Sequence, residues 1–155
     1  MLIRKAKEED FEQYFKLSEK ENQELKKYYL INGKTNKQEF KKKYLNRIKH
    51  KNWFILLAEE KNHVQGYLVG TIMNLNKNGF ICSEKEIGYI DNAFLQSKYR
   101  NKGYFKQMLN QFEALLKNRK IKFCKLNVSL KNPIKKGYKK LGFQEQEWVM
   151  LKRLR

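Results

Sequence analysis

The chain is most constrained between residues 86 and 116. An apolar, strand-like run (residues 86–95) leads into the basic turn Arg100-Asn101-Lys102-Gly103-Tyr104. A strongly patterned helix (residues 105–116) follows, with Phe105, Met108, Leu109, Phe112, Leu115 and Leu116 at helical spacing. A strand that passes through a glycine turn into a helix start brings several backbone N–H groups and the positive end of the helix dipole around one point. Such a point seats a phosphate. The string is neither G-x-x-x-x-G-K-S/T nor G-x-G-x-x-G, so neither a nucleoside triphosphate nor a nicotinamide dinucleotide is the first reading.

The rest of the sequence supplies elements on either side. Residues 1–6 alternate as a short strand does, and Glu8, Glu9 and Asp10 give the acidic start that a helix dipole favours. Phe11, Tyr14, Phe15 and Ser18 share one helical face. Thr35 and Gln38 have capping-box spacing ahead of a second stripe, Phe40, Tyr44, Leu45 and Ile48. Residues 53–58 and 64–73 read as a hairpin around the polar turn 59–63, and residues 121–128 as a further strand. Residues 133–141 read as a helix that Pro133 can open and Gly142 can end, and residues 143–151 as the last strand. The order is β, α, α, β, β, β, α, β, α, β. With 155 residues and no repeat or linker, residues 1–155 read as one domain.

Hydrophobic residues make up 41% of the chain and aromatics 14%, which excludes a disordered polyelectrolyte. Yet 35 Lys and Arg face 16 Asp and Glu, a formal charge of +19 that concentrates polyanions near the surface. The surplus is spread in pairs and triplets (Lys41 to Lys43, Lys135 and Lys136, Lys139 and Lys140), so a solvated surface and a contact with nucleic acid or the ribosome both stay open. Cys82 and Cys124 lie in or beside apolar runs without C-x-x-C spacing, and His50 and His63 sit far from them in polar surroundings. No metal site can be read from that, and both thiols read as small buried hydrophobes. No apolar run approaches the roughly 18 to 20 residues that cross a bilayer, and none forms a signal-peptide core, which points to a cytoplasmic protein with no membrane partner.

Three pieces then act together: Tyr89-Ile90-Asp91-Asn92-Ala93-Phe94-Leu95, Tyr99-Arg100-Asn101-Lys102-Gly103-Tyr104-Phe105 and Tyr138-Lys139-Lys140-Leu141-Gly142-Phe143. With them the chain resembles the GCN5-related N-acetyltransferase (GNAT) family over nearly its whole length. The resemblance implies a mixed α/β (α+β) fold, a mostly antiparallel twisted sheet of six to seven strands flanked by about four helices. It implies acetyl-CoA as co-substrate, no metal, and acetyl transfer to a primary amine by direct attack in a ternary complex. The family motif Arg/Gln-x-x-Gly-x-Gly/Ala implies that the pyrophosphate of coenzyme A rests on the turn formed by Arg100, Asn101, Lys102, Gly103, Tyr104 and Phe105. The fourth and fifth strands are expected to splay, so that main-chain groups near Phe94 and Leu95 hold the pantetheine arm as they would an added strand. Phe105 stands where the motif has Gly or Ala, so its ring must turn away from the phosphates or crowd them. Relatives place Asn where this chain has Lys131, which leaves Asn132, one position later, as the candidate cofactor contact.

Tyr138 matches the family tyrosine that protonates the coenzyme A sulfur, and it is the candidate general acid; a core tyrosine on an amphipathic helix is the other reading. Tyr89 replaces the strand glutamate that many relatives carry. Strand side chains alternate, so Asp91 shares the Tyr89 face and becomes the candidate base. Asp91 could instead bind a cationic group while water takes the proton. The acceptor pocket falls to residues 28–44 and 74–85, which do not name the amine. Monomer and homodimer are both open. The alternative from another class is a catalytically degenerate acyl-CoA-binding or basic nucleic-acid module.

Overall fold

Residues 54–58 run Phe-Ile-Leu-Leu-Ala without one polar side chain, the pattern of a strand covered on both faces. In the computed structural model, which describes residues 1–29, 35–75 and 84–146, they form the middle of β2 (Trp53–Glu60). Phe54, Leu56 and Ala58 enter one core while Ile55 and Leu57 enter the other. The sheet runs β1-β2-β3-β4-β5, with β1 at Leu2–Lys5, β3 at His63–Asn74, β4 at Glu86–Leu95 and β5 at Cys124–Leu126. β1 to β4 pair antiparallel, and β5 joins β4 in parallel. On one face α3 (Tyr104–Asn118) packs Met108, Leu109, Phe112 and Leu116 against the sheet. On the other, α1 (Phe11–Leu25) and α2 (Lys37–Lys49) bring Phe11, Tyr14, Leu17 and Tyr44. α4 (Lys135–Lys140) follows β5. Among the described residues no helix is long and apolar enough to cross a membrane.

Local chemistry sets the joints. The β2–β3 hairpin turns on Lys61 and Asn62, at φ +50 and +62, a tight turn that lets both strands run past the expected ends at 58 and 64. Asn36, not Thr35, caps α2: its Oδ1 accepts the N–H groups of Gln38 and Glu39 at 2.9 and 3.2 Å. The short amide side chain reaches those two donors only from the position next to the helix. Arg4 of β1 donates from Nη1 and Nη2 to Asp10, each at 2.7 Å, and from Nε to Glu59 at 2.6 Å. This ties β1 to the head of α1 and to β2. At Gly70 a Cβ would enter the Phe112 ring, so the missing side chain is what lets α3 lie close on β3.

Among the described residues five strands stand where six to seven are expected. β5 keeps only residues 124–126 of the expected 121–128, because it pairs with β4 over residues 88–90 and then diverges. Residues 143–146 are not strand, and 147–151 lie outside the described residues, as do Cys82 and the parts of the expected acceptor loops at 30–34 and 76–83. α4 is shorter than 133–141: Pro133 and Ile134 form the turn ahead of it, where Asn132 Oδ1 accepts the Ile134 N–H at 3.1 Å.

Candidate active site

The turn after β4 begins with a 3₁₀ segment, Ser97–Tyr99, closed by the Arg100 N–H donating to Ser97 O at 3.1 Å. Asn101 and Gly103 then adopt φ +62 and +80, and α3 starts. Gly103 has no side chain to cap the helix; its carbonyl accepts the Gln107 N–H at 3.0 Å. The N–H groups of Tyr104, Phe105 and Lys106 therefore have no intrahelical acceptor and project from the positive end of the dipole. A Cβ on Gly103 would meet nothing within 4 Å, so the space beside the turn at that residue is open. No acidic residue sits in the first turn of α3. This set fits a bound diphosphate.

Arg100 does not offer its side chain to that seat. Nε donates to Leu95 O at 2.7 Å and Nη2 pairs with Glu24 at 2.7 Å, which ties the end of β4 to α1. Phe105 turns away from the amides. Its ring meets Tyr138 edge to face, 5.8 Å between centroids at 74°. The ring of Tyr138 is also met by Phe143, at 5.8 Å and 77°. That second contact has a backbone cause: Gly142, at φ +91, donates to Lys139 O at 3.1 Å, and Phe143 donates to Tyr138 O at 3.1 Å. The pair forms a Schellman cap, in which the residue after the glycine folds back onto the residue five before it. The Tyr-x-x-x-Gly-Phe spacing is therefore a device for holding a tyrosine. Burial, helped by the charges of Glu21 and Tyr29, pushes the Tyr138 phenol up to about 12, so it keeps its proton at neutral pH.

β4 runs five residues beyond its pairing with β5. Along that free edge the Ala93 N–H donates to Asn92 Oδ1 at 3.0 Å and the Leu95 carbonyl accepts Arg100 Nε. The main chain of Ala93 and Leu95 thus faces the gap. Phe94 points the other way and packs with Tyr67 on the α1 side, 6.2 Å between rings. Asn132 is the turn residue ahead of α4, its Oδ1 accepting the Ile134 N–H.

A bulge in β4 shapes the α1 side. Val69 pairs with Asn92 and Gly70 with Ile90, leaving Asp91 as the extra residue. Asp91 keeps the Tyr89 face, as alternation expects, and Asn92 joins it there. Asp91 is held by Arg47 of α2 at 2.9 Å, and that guanidinium lies 3.9 Å from the Trp53 ring. Asn92 Nδ2 donates to Glu21 of α1 at 2.7 Å, and Tyr67 Oη donates to the same carboxylate oxygen at 2.5 Å. Burial raises the Glu21 carboxyl to about 7, against its two hydrogen bonds, which lower it. Tyr89 is raised too, by burial and then by Asp91. Sequence reading missed Glu21, although Tyr14, Ser18 and Glu21 continue one helical face and a carboxylate on a buried stripe is a signal in itself.

A hollow of about 400 Å³ opens beside this region, bounded by Lys20, Gln23, Glu24, Phe94, Gln96 and Ser97. A second, of about 450 Å³, lies at the far end of β4 beside Glu84, Lys85 and Arg119, away from Tyr138 and the turn. Cys124 is half-buried and its thiol is raised to about 12 by burial, so it stays protonated. His50 and His63 serve turns: Nδ1 of His50 accepts the Asn52 N–H, and Nδ1 of His63 meets Lys61 O.

A split sheet edge beside an open helix start and a clamped tyrosine defines a group-transfer enzyme that takes an anionic carrier. Residues 5–143 match the model of the Acetyltransferase (GNAT) family, and the chain belongs to that family. No curated protein matches the sequence. Solved structures share the fold. The aminoglycoside antibiotic 6'-N-acetyltransferase AAC(6')-IG from Acinetobacter haemolyticus superposes with a TM-score of 0.78 at 20% identity, over 100% of this chain and 99% of that one. A predicted acetyltransferase with acetyl-CoA from Clostridium acetobutylicum gives 0.77 at 22%, over 97% and 95%. AAC(6')-Iy in complex with the bisubstrate analog CoA-S-monomethyl-acetylneamine gives 0.75 at 17%, over 99% and 97%.

Proposed function

We propose that this acetyltransferase moves the acetyl group of acetyl-CoA to a primary amine by direct attack in a ternary complex, without a covalent enzyme intermediate. The observation that carries the reading is the Phe105–Tyr138 contact, which joins an open set of helix N–H donors to a clamped, protonated phenol. Acetyl-CoA, when bound, supplies the activated thioester. The amides from Asn101 to Lys106 hold its diphosphate, with Lys102 alongside. The main chain of Ala93 and Leu95, on either side of Phe94, holds the amide arm as a neighbouring strand would be held. Tyr138 donates a proton to the departing sulfur. Asn132 shapes the turn that presents α4, and Arg100 braces β4, so neither side chain is assigned to the coenzyme. Neighbours that act on aminoglycosides have amine acceptors, and a primary amine is the class carried over here.

Calorimetry with acetyl-CoA comes first, and thiol release against a panel of amines second. Tyr138→Phe is expected to lower kcat by about 10²-fold while leaving acetyl-CoA affinity within about twofold. No heat on adding acetyl-CoA would end the reading. Binding without turnover would leave an acyl-CoA-binding module.

A further inference from the structure

Glu21 is 3% exposed, yet no cation among the described residues pairs with it. Both hydrogen bonds it accepts, from Tyr67 Oη and Asn92 Nδ2, fall on Oε2. Oε1 accepts none. Among the described residues no fully buried side-chain nitrogen or oxygen lacks a partner, so Oε1 keeps some access to solvent. A carboxylate held among neutral donors is costly to ionise, and an incoming cation removes that cost.

The groups that face it are few. Tyr14 and Glu24 lie on its own helix, Tyr67 comes from β3, Asp91 and Asn92 from β4, and the phenol of Tyr138 feels its charge from α4. Arg47 of α2 is the nearby cation, and it is committed to Asp91 and to the Trp53 ring. Glu21 and Asp91 thus share this side of the sheet with one guanidinium that is already paired, in a chain of formal charge +19. Asp91 is already held at 2.9 Å by the Arg47 guanidinium, whereas Glu21 has no cationic partner among the described residues.

We propose that Glu21 receives the acceptor: its free oxygen binds the ammonium and takes the proton that must leave before the nitrogen can attack. The proposal rests on the acetyl-transfer reading and names the base within it. The ammonium gives one proton to Glu21 Oε1, leaving a neutral amine and a carboxylic acid. The nitrogen lone pair then forms the C–N bond at the thioester carbonyl while the C–S bond breaks and its electron pair leaves on sulfur. Tyr138 gives its proton to that sulfur. The second proton lost by nitrogen restores the Tyr138 phenol, and Glu21 discharges its own to water. A carboxyl titrating near 7 is matched to this task at neutral pH.

The test has two arms. In the first, ¹³C NMR on protein labelled at the glutamate δ-carbon follows the Glu21 resonance, identified by its loss in Glu21→Gln. Ethylamine hydrochloride should lower its midpoint by about one pH unit or more, because a cation favours the ionised form. Ethanol at matched ionic strength should not. In the second arm, with whichever amine releases thiol, kcat/KM of the wild type rises through a limb near pH 7. Glu21→Gln abolishes that limb and lowers kcat/KM about a hundredfold, with acetyl-CoA affinity retained. Tyr67→Phe, which keeps the carboxylate but removes a bond to its ionised form, shifts the limb to higher pH. A midpoint blind to ethylamine, or an unchanged pH profile in Glu21→Gln, overturns the proposal while acetyl transfer stands. A midpoint that moves in an enzyme releasing no thiol keeps the cation site and removes the transfer reading.

Discussion

Gly103 stands at φ +80 with empty space where a Cβ would go. Gly103→Ala therefore carries the left-handed backbone penalty alone, about 1–2 kcal/mol, to be read as a lower urea midpoint. Glu21 produces the opposite kind of effect, one that depends on pH. Its carboxyl titrates near 7 in the folded chain against an ordinary value of 4.5. Between those values the native state binds more protons than the unfolded one, so stability falls as pH rises and levels off above about 7. The span is about 3 kcal/mol. Glu21→Gln should remove that slope, measured as unfolding free energy at pH 5 and pH 8 against the wild type. The same residue marks where reading by sequence stops. Asp91 was legible because strands alternate, but Asn92 reached the same face through a bulge that alternation does not anticipate. Glu21 then gained its meaning from partners far off in sequence, Tyr67 and Asn92.

At the level of elements, the long buried segments were legible and their ends were not. β4 and the hairpin follow from apolar runs with turn residues between them, whereas β5 is cut short by divergence from β4, a property of the sheet rather than of the segment. The Tyr138 to Phe143 segment was visible as a motif, and the structure supplies its physics. Gly142→Ala should destabilise the cap by about 1 kcal/mol. It should also loosen Phe143 from Tyr138 and lower kcat, although Gly142 touches no reactant; thermal melts and steady-state kinetics on one preparation separate the two effects. Elsewhere, Asp10→Ala strips Arg4 of its bidentate partner at a site where Asp10 is 3% exposed. A loss of about 3 kcal/mol is expected, seen as a lower midpoint in urea. Because Arg4 holds the Asp10 carboxyl below its ordinary range, that contribution is present at neutral pH and fades as pH falls toward the Asp10 titration.

The molecule as a whole carries the Glu21 and Asp91 carboxylates on one side of its sheet and the uncapped amides at the start of α3, within a chain of +19. A distributed positive field draws a polyphosphate carrier from any direction and opposes a polycation, so on-rates for acetyl-CoA should fall as salt is raised. Stopped-flow binding at about 0.05 and 0.5 M KCl checks this, and a rate indifferent to salt would refute it. The open head of α3 has a consequence beyond chemistry. Its first-turn donors are completed only by something from outside, so acetyl-CoA at a hundredfold excess over Kd adds about 2.7 kcal/mol to the folded state. Limited proteolysis should slow accordingly. In a cell poor in the acyl donor this protein would be cleared sooner than in one that is rich, and its abundance would track the metabolic supply it spends.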